Sequence, residues 1–325
     1  MKSLILALLV SPAFLLAQVS KNSTDFAESI TAKELKEHLY VYASDYFQGR
    51  ETGTIGQKRA IDFLQNFYST HKIAEAEGTD SYKQEMVLDV KGNQINTENI
   101  AAIIRGSQYP EEYIVISSHL DHIGVIDGEI NNGADDDGSG TVALLEIAEA
   151  FKMATDAGHG PKRSLVFLHV TGEEKGLLGS KYYTENPLYP LSKTMTNLNI
   201  DMVGRTDPKR EDKDPNYIYL IGADKLSQDL HDISEETNSK YTQLKLDYTF
   251  NDDKDPNRFY YRSDHYNFAK NNIPVIFYFN GTHEDYHREG DTPDKINYPI
   301  LEKRTRLIFY TAWELANRPN KIRLN

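Results

Sequence analysis

Apolar runs without polar alternation mark several strands along this chain. Residues 113–118 and 164–170 are rich in Val, Ile and Leu, which predicts strands that are covered on both faces. Residues 196–203 and 273–279 predict two further strands. Residues 141–153 instead carry apolar side chains at helical spacing, which predicts an amphipathic helix. Strands that alternate with helices in this way indicate an α/β fold.

Segments on either side of this central part extend the pattern. Two helical faces are predicted within residues 31–71, strands over residues 83–90 and 99–105, and a closing helix over residues 298–316. Neither an internal repeat nor a linker interrupts the sequence. We therefore expect an α/β, single-domain fold with a central, mostly parallel mixed sheet and helices on both faces. Residues 207–255, which include acidic loops with proline, give the least clear pattern.

The first residues have the order that is typical of a secretory signal peptide. Lys2 precedes the largely apolar run LILALLVSPAFLLA, and a polar segment begins near Gln18. The apolar run is short for a transmembrane helix, so a cleaved signal is favoured over a membrane anchor. We predict a signal peptide at residues 1–18 and a mature domain at residues 19–325, with no membrane contact after the signal is removed.

The composition narrows the location and the partners. The chain contains no cysteine, which excludes a disulfide framework, and a large exported domain without cysteine suits a bacterial periplasm or exterior. Its formal net charge is -13 at pH 7, which argues against nucleic acid or an anionic membrane as a partner. We therefore expect a secreted or periplasmic bacterial protein, whose oligomeric state the sequence leaves open.

Residues of the types that bind metals occur at or just after the ends of the predicted strands. They are His119, the pair Glu173 and Glu174, Asp201, and His287. In open α/β sheets, ligands bind in the crevice outside the carboxyl ends of the strands. Imidazole and carboxylate groups are the ligands of a borderline cation such as zinc. The sequence therefore predicts a metal site at this edge of the sheet.

Each of these features also has a structural explanation when it is considered alone. A pair of glutamates at a helix start can offset the helix dipole, and the three aspartates at 135–137 can cap the helix that follows. The triplet Ser263, Asp264 and His265 suggests a serine hydrolase only superficially, because consecutive residues of an extended segment cannot form that geometry. The convergence of several ligand types at one edge favours the metal site, since the fold itself does not require it.

Six sequence blocks together resemble a known family. The blocks are SSHLDHIG, NNGADDDGSG, TGEEKGLLGS, NIDMVG, YYRSDHYNF and DYHREGDTPDKI, in this order. They are similar to metallopeptidase family 28, the di-zinc aminopeptidases with the zinc-exopeptidase, phosphorylase/hydrolase-like fold, over residues 35–316. The resemblance implies a zinc-dependent peptidase domain at residues 19–325 that acts on peptide substrates. The chain has no room for the protease-associated insertion of many larger relatives.

The resemblance implies a role for each candidate ligand. Two Zn²⁺ ions would be bound per chain, with His119 and Asp201 at one ion and His287 and Glu174 at the other. Asp135 would bridge both ions. Such a pair of ions can make a water nucleophilic near neutral pH and polarise a scissile carbonyl.

Three further features follow from the same resemblance. Glu173 would be the general base that takes the proton of the water and returns it to the leaving amine. Asp121, two residues after His119 on an extended chain, would orient the imidazole. The peptide bond between Asp135 and Asp136 would be cis.

The blocks define the chemistry better than the substrate. An aminopeptidase must recognise a free α-amino group, whereas a carboxypeptidase needs a cationic side chain for a carboxylate. Arg262, Tyr261 and Asp264 are candidates for the substrate pocket, and Arg262 could bind a carboxylate, although a salt bridge within its loop is the simpler explanation. We expect an aminopeptidase. The alternatives are a carboxypeptidase of the same superfamily, a glutaminyl-cyclase-like acyltransferase with one zinc, and a non-catalytic binding protein.

Overall fold

A nine-stranded sheet forms the centre of the computed structural model, which describes residues 22–325. The predicted signal peptide, residues 1–18, lies outside this range. The strands in chain order are β1 (Ala74–Glu75), β2 (Lys83–Val90), β3 (Asn93–Ile104), β4 (Tyr109–His119), β5 (Gly124–Ile126), β6 (Glu129–Asn131), β7 (Arg163–Val170), β8 (Thr194–Ile200), β9 (Tyr217–Ile221), β10 (Lys245–Asp247) and β11 (Val275–Phe279). The helices are α1 (Ser23–Ala27), α2 (Ala32–Tyr42), α3 (Ile55–Thr70), α4 (Gly140–Asp156), α5 (Leu178–Glu185), α6 (Gln228–Tyr241), α7 (His265–Ala269) and α8 (Tyr298–Asn317).

The middle of the sheet is parallel, and the strand next to it on each side runs antiparallel to it. The strand order is β1-β3-β7-β4-β8-β11-β9-β10, with β2 paired to β3, while β5 and β6 form a separate hairpin. The strands β7, β4, β8 and β11 run parallel to one another, and β3 and β9 pair antiparallel to the two ends of this group. The predicted α/β fold with a mixed central sheet is confirmed. The parallel strands are the ones whose carboxyl ends carry the candidate ligands.

The two faces of the sheet are covered by different helices. Alternate residues of a strand point to opposite faces, so Ile114 and Ile116 of β4 pack into one layer and Val115 packs into the other. The first layer includes α2, α3, α4, α6 and α8, and the second includes Tyr183 of α5 and Phe268 of α7. This burial on both faces explains why the central strands are continuous apolar runs.

Two parts of the chain differ from the prediction made from the pattern. The strand β3 begins at Asn93, six residues before the predicted start at residue 99, so the polar residues 93–97 belong to a long hairpin with β2. Residues 207–255 contain β9, α6 and β10 in addition to loops. Tyr217 and Tyr219 of β9 are buried in an aromatic cluster, so they do not line a substrate pocket. Within residues 22–325, no helix is both long and apolar enough to cross a bilayer.

A buried arginine fixes the C-terminal helix to the segment that follows β8. Arg304 of α8 is fully buried and donates from Nη1 to the carbonyl oxygens of Val203 and Arg205, at 2.8 and 2.7 Å. Its Nε donates to the carbonyl oxygen of Tyr217 at 2.9 Å. Burial lowers the pKa of Arg304 to about 10. The helix therefore holds in place the loop that begins with Asp201.

Candidate metal centre

The carboxyl ends of the parallel strands bring the predicted ligands together. The Nε2 atom of His119 lies 3.6 Å from Oδ1 of Asp201, and Nε2 of His287 lies 3.1 Å from Oε2 of Glu174. These four residues come from β4 and from the segments after β8, β11 and β7, and the pattern of strands had placed them at one edge. The distances show that they form one compact cluster.

Asp136, and not Asp135, lies between the two histidines. Its Oδ1 is 3.1 Å from Nε2 of His119 and its Oδ2 is 3.1 Å from Nε2 of His287. The carboxylate of Asp135 instead accepts hydrogen bonds from the backbone N–H of Gly204 at 2.7 Å and from the Nδ2 group of Asn280 at 3.0 Å. The placement of Asp135 between the histidines is therefore wrong by one residue, because its carboxylate is occupied by donors of the surrounding loops.

The third aspartate of the run has a backbone role. Asp137 accepts the N–H groups of His119, Gly140 and Met202, and thereby joins the end of β4, the start of α4 and the segment after β8. A side chain at Gly140 would not fit, since an added Cβ would lie 2.3 Å from Oδ1 of Asp137. The cis peptide bond is the one between Asp136 and Asp137, so the expected position between Asp135 and Asp136 is also wrong by one residue.

The backbone that precedes Asp136 is held from the other side of the site. The buried carboxylate of Asp291 accepts the N–H groups of Asp135 and Asp136 at 3.0 and 3.1 Å. Arg205 lies nearby, with its Nη1 at 3.9 Å from Oδ1 of Asp291. The loop of aspartates is therefore fixed by hydrogen bonds at each of its three members.

A further histidine, His122, belongs to the cluster and was missed. It is fully buried, with its Nδ1 at 2.9 Å from Oε1 of Glu174 and 3.8 Å from Oδ2 of Asp136. The sequence signal was the spacing in the block HLDH, in which a second imidazole follows His119 after three residues.

Buried polar atoms without hydrogen-bond partners collect at this point. Among the described residues, they include His119 Nε2, both ring nitrogens of His122, Asp136 Oδ2 and Glu174 Oε1. Leaving such atoms unpaired is costly in a folded protein, and a bound cation would satisfy them. Their ligand atoms form two groups in which all atoms lie within 4.8 Å of one another. Imidazole nitrogens mixed with carboxylate oxygens fit zinc.

The two groups share the run of aspartates. One group contains His119, Asp201 and Asp137, and the other contains His122, Glu174 and Asp136. We assign Asp136 rather than Asp137 to the first group as well, because the carboxylate of Asp137 already accepts three backbone N–H groups.

The site is strongly negative, as its pKa shifts indicate. Burial lowers the pKa of His287, but its contacts with Asp136 and Glu174 outweigh this and raise the pKa to about 10. Burial raises the pKa of Glu173 well above its usual range, and the carboxylates of Glu174 and Asp201 add to this against the opposing effect of His119. These pKa shifts are caused by the neighbouring side chains of the protein. A cluster of carboxylates of this kind attracts cations.

Asp121 contacts both Glu173 and His119. Its carboxylate accepts the backbone N–H of Glu173, and its backbone carbonyl accepts the imidazole N–H of His119. The Nδ1–H group of His119 donates to the carbonyl oxygen of Asp121 at 3.0 Å, while the nearest carboxylate oxygen is 3.8 Å away. The carboxylate accepts from Thr52 Oγ1 at 2.8 Å and from the backbone N–H of Glu173 at 3.2 Å. We expected the carboxylate of Asp121 to orient the imidazole of His119. In the structure, the backbone carbonyl group of Asp121 does so instead.

A chain of hydrogen bonds supports Asp201. Ser263 Oγ donates to Asp201 Oδ2 at 2.6 Å and accepts from Asn199 Nδ2 at 2.8 Å. Ser117 Oγ donates in turn to Asn199 Oδ1 at 2.7 Å. The serine of the SDH triplet is thus a support for a candidate metal ligand, which agrees with the exclusion of a serine hydrolase.

A pocket opens directly beside this cluster. It is lined by Asp136, Glu173, Asp201, Met202, Phe259, Arg262, Phe277, Phe279, Thr282 and Tyr286. Of the three pocket residues predicted from the sequence, Arg262 lies in the lining. Tyr261 is exposed and packs on Tyr260 and Tyr266, and Asp264 is fully buried, with its Oδ1 accepting from Ser180. Tyr286, which stacks on His287 at 3.9 Å, is a lining residue that the sequence did not indicate.

Comparisons with known proteins identify the family. The model of peptidase family M28 matches residues 99–312, which is more than half of the chain. The chain belongs to peptidase family M28. Leupeptin-inactivating enzyme 1 of Streptomyces exfoliatus is 26% identical over 335 residues, which cover 94% of this chain and 66% of that protein. The chain spans between about half and two thirds of the length of such curated relatives.

Solved structures of an aminopeptidase and of a glutaminyl cyclase share the fold. The LapA aminopeptidase of Legionella pneumophila superimposes with a TM-score of 0.70 at 20% identity, covering 92% of this chain and 75% of that one. The glutaminyl cyclase of Porphyromonas gingivalis superimposes with a TM-score of 0.67 at 20% identity, covering 87% of this chain and 97% of that one. These structures show a shared fold, and the resemblance to metallopeptidase family 28 inferred from the sequence blocks is confirmed by the match to the M28 model.

Proposed function

We propose that this M28 peptidase is a secreted, di-zinc aminopeptidase that removes residues from the N-terminus of peptides. The observation that carries the proposal is the carboxylate of Asp136, whose two oxygens each lie 3.1 Å from a histidine nitrogen on opposite sides. One carboxylate between two imidazoles suits a bridge between two cations. The secretion rests on the predicted signal peptide at residues 1–18.

Each zinc would have its own histidine and its own terminal carboxylate. His119 and Asp201 would bind one ion, His287 and Glu174 would bind the other, and Asp136 would contribute one oxygen to each. His122 lies close enough to Glu174 to be a further ligand of the second ion, at 2.9 Å between Nδ1 and Oε1. When bound, the two ions supply activation of a water and polarisation of the scissile carbonyl.

Glu173 is the residue that we assign as general base. It lines the pocket beside Asp136 and Asp201, and no described residue donates a hydrogen bond to its carboxylate. The backbone N–H of Glu173 donates to the carboxylate of Asp121, which fixes the position of the Glu173 backbone. The carboxylate of Glu173 therefore reaches the pocket from a fixed point of the chain. The Glu173 carboxylate can therefore take a proton from the attacking water and deliver it to the nitrogen of the leaving amine.

N-terminal recognition is supported by the names of similar proteins. They include an aminopeptidase of Legionella pneumophila and a probable leucine aminopeptidase 2 of Aspergillus oryzae, which is 28% identical over 269 residues.

Glutaminyl cyclisation is the second candidate, because a solved glutaminyl cyclase shares the fold. The presence of two groups of ligand atoms around Asp136 favours the hydrolase with two ions over a cyclase with one. Incubation with a peptide that has an N-terminal glutamine separates the two activities by mass. Loss of ammonia without cleavage would identify a cyclase, and release of the first residue would identify an aminopeptidase.

The test of the proposal combines metal analysis with turnover. The purified protein, reconstituted with zinc, should bind close to two ions per chain and hydrolyse an aminoacyl chromogenic amide. Glu173→Gln should keep the metal and lose at least about a hundredfold in kcat, since a general base contributes 10²–10⁴-fold. His119→Ala should lose one ion. Full activity of Glu173→Gln, or the absence of tightly bound zinc in the parent protein, would overturn the assignment.

A further inference from the structure

The wall of the pocket contains a positive charge that has no acidic partner. Arg262 lines the pocket together with the carboxylates of Asp136, Glu173 and Asp201. Among the described residues, no carboxylate oxygen lies within 4.0 Å of its guanidinium group. Arg205 and Arg210 do have acidic partners, since Arg205 contacts Asp285 at 3.1 Å and Arg210 contacts Asp212 at 2.9 Å. The salt bridge that would have been the simpler explanation of Arg262 is therefore not formed.

Arg262 is exposed, and its guanidinium group contacts two aromatic residues. Its Cζ atom lies 5.0 Å from the centre of the Phe259 ring, and its Nη2 donates to the hydroxyl oxygen of Tyr286 at 3.5 Å. Phe259 and Tyr286 are themselves lining residues of the pocket. Tyr286 stacks on the ring of His287, a candidate zinc ligand. These two contacts lie close to the metal cluster, and no described residue accepts a hydrogen bond from the other N–H groups of Arg262.

The rest of the lining is mainly apolar. It includes Phe259, Phe277, Phe279 and Met202, and its carboxylates are those of the metal cluster. Such a pocket suits an apolar stem or ring of the substrate, with an anionic group beside Arg262. A planar guanidinium group with free N–H donors binds a carboxylate through two parallel hydrogen bonds.

We propose that Arg262 binds a carboxylate of the peptide substrate beside the scissile bond. The inference rests on the proposed peptidase function and specifies its substrate class. The carboxylate has two possible sources, which are the acidic side chain of the N-terminal residue and the free α-carboxylate of a dipeptide. In both cases Arg262 selects substrates that carry a negative charge within one residue of the bond that is cleaved.

Two matched pairs of substrates distinguish these sources. Glutamyl and glutaminyl p-nitroanilide differ in the charge of the N-terminal side chain, and the dipeptide Leu-Phe and its C-terminal amide differ in the α-carboxylate. We expect the zinc-loaded protein to prefer the anionic member of one pair by about tenfold or more in kcat/KM, since hydrogen bonds to charged groups contribute enough for such a ratio. The pair that shows the preference identifies the source.

The variant Arg262→Gln tests whether this residue is responsible. We expect it to lower kcat/KM for the anionic substrate about ten- to hundredfold, mainly through KM, and to leave the neutral partner within about twofold. Arg258→Gln is the matched control, because Arg258 is also exposed and stacks on a ring of the same loop, at 4.8 Å from Tyr261, but does not line the pocket. It should leave both substrates unchanged.

Several outcomes would overturn the role of Arg262. They are equal turnover of both members in each pair, an equal loss for both members in Arg262→Gln, and the same selective loss in Arg258→Gln. Hydrolysis of the neutral substrates in any of these cases would leave the proposed peptidase in place.

If no substrate is cleaved, the proposed function fails. The role of Arg262 is then tested by measuring the binding affinity of each substrate. Calorimetry with the zinc-loaded Glu173→Gln protein measures the affinity of each pair without turnover. Tighter binding of an anionic member, removed by an added Arg262→Gln, would support the role, and equal affinities would refute it.

Discussion

Three consecutive aspartates have three different roles at the residue scale. Asp135 accepts hydrogen bonds from Gly204 and Asn280. Asp136 faces the imidazoles of His119 and His287, and Asp137 accepts hydrogen bonds from backbone N–H groups. The difference is one of direction, because side chains of neighbouring residues point to different sides of the chain. The assignment of the metal bridge therefore depends on a single residue of register.

The variants Asp136→Asn and Asp135→Asn should separate these roles. Asp136→Asn removes the negative charge between the two proposed ions, so we expect zinc affinity to fall by about a hundredfold or more while the fold is retained. Asp135→Asn places an amide opposite the Nδ2 group of Asn280, so we expect full zinc stoichiometry and a free energy of unfolding lower by about 1–3 kcal/mol. Zinc titration and denaturant unfolding of both variants measure this. The reverse pattern would return the bridge to Asp135.

The sequence predicts which strand ends carry ligands better than which atoms face the metals. His119, Glu174, Asp201 and His287 were identified because each follows a strand, and the structure brings them together. The register within the run of aspartates could not be inferred, because it is set by distant donors such as Gly204 and by the acceptor Asp291. Hydrogen bonds between residues far apart in sequence leave no local pattern.

At the scale of elements, a buried glutamate lies between two helices of the first layer. Glu146 of α4 is 3% exposed, and its Oε1 lies 3.5 Å from Nε2 of His38 in α2. Burial raises the pKa of Glu146 to about 9, and Glu34 and Glu149 add to this shift. Burial lowers the pKa of His38, so the pair is neutral near pH 7 rather than an ion pair.

The stability of the α2–α4 contact should therefore depend on pH. The unfolded chain loses the Glu146 proton near pH 4.5, whereas the folded chain keeps it up to about pH 9. Because the folded state binds more protons in this range, Glu146 destabilises the fold increasingly as the pH rises. Glu146→Gln should thus gain stability over the parent protein by up to about 1.4 kcal/mol per pH unit from pH 5 to 8. Denaturant unfolding at several pH values, with the exposed Glu129→Gln as control, measures the difference, and a constant difference would contradict the shift.

The elements themselves were predicted with unequal success, for a physical reason. The strands β4 and β7 are buried on both faces, so they stand out as apolar runs, and α8 shows its apolar stripe. The strand β9 is equally buried but is built from tyrosines between acidic loops, and α6 has a largely polar surface. Their burial depends on packing against α8 and β11, which the local sequence does not reveal.

At the scale of the whole molecule, the fold concentrates carboxylates around one point. The buried or half-buried acids of this region are Asp121, Asp135, Asp136, Asp137, Glu173, Glu174, Asp201, Asp264 and Asp291. Gathering such groups in a low-dielectric interior is unfavourable unless protons or cations compensate their charge. The stability of the entire domain is therefore expected to be linked to metal binding.

Removal of zinc should lower the thermal stability of the protein in a concentration-dependent way. A ligand that binds only the folded state contributes about 2.7 kcal/mol per site at a hundredfold excess over its Kd. The chain offers no cysteine thiolate to hold zinc after unfolding, so this linkage is weakened little by the unfolded state. We expect dialysis against a chelator to lower Tm by several degrees and added zinc to restore it, whereas added magnesium should not. Asp136→Asn should lose most of the zinc-dependent change, and a Tm of the parent protein that is insensitive to chelator and zinc would show that the carboxylate cluster does not bind the ions on which the proposed chemistry depends.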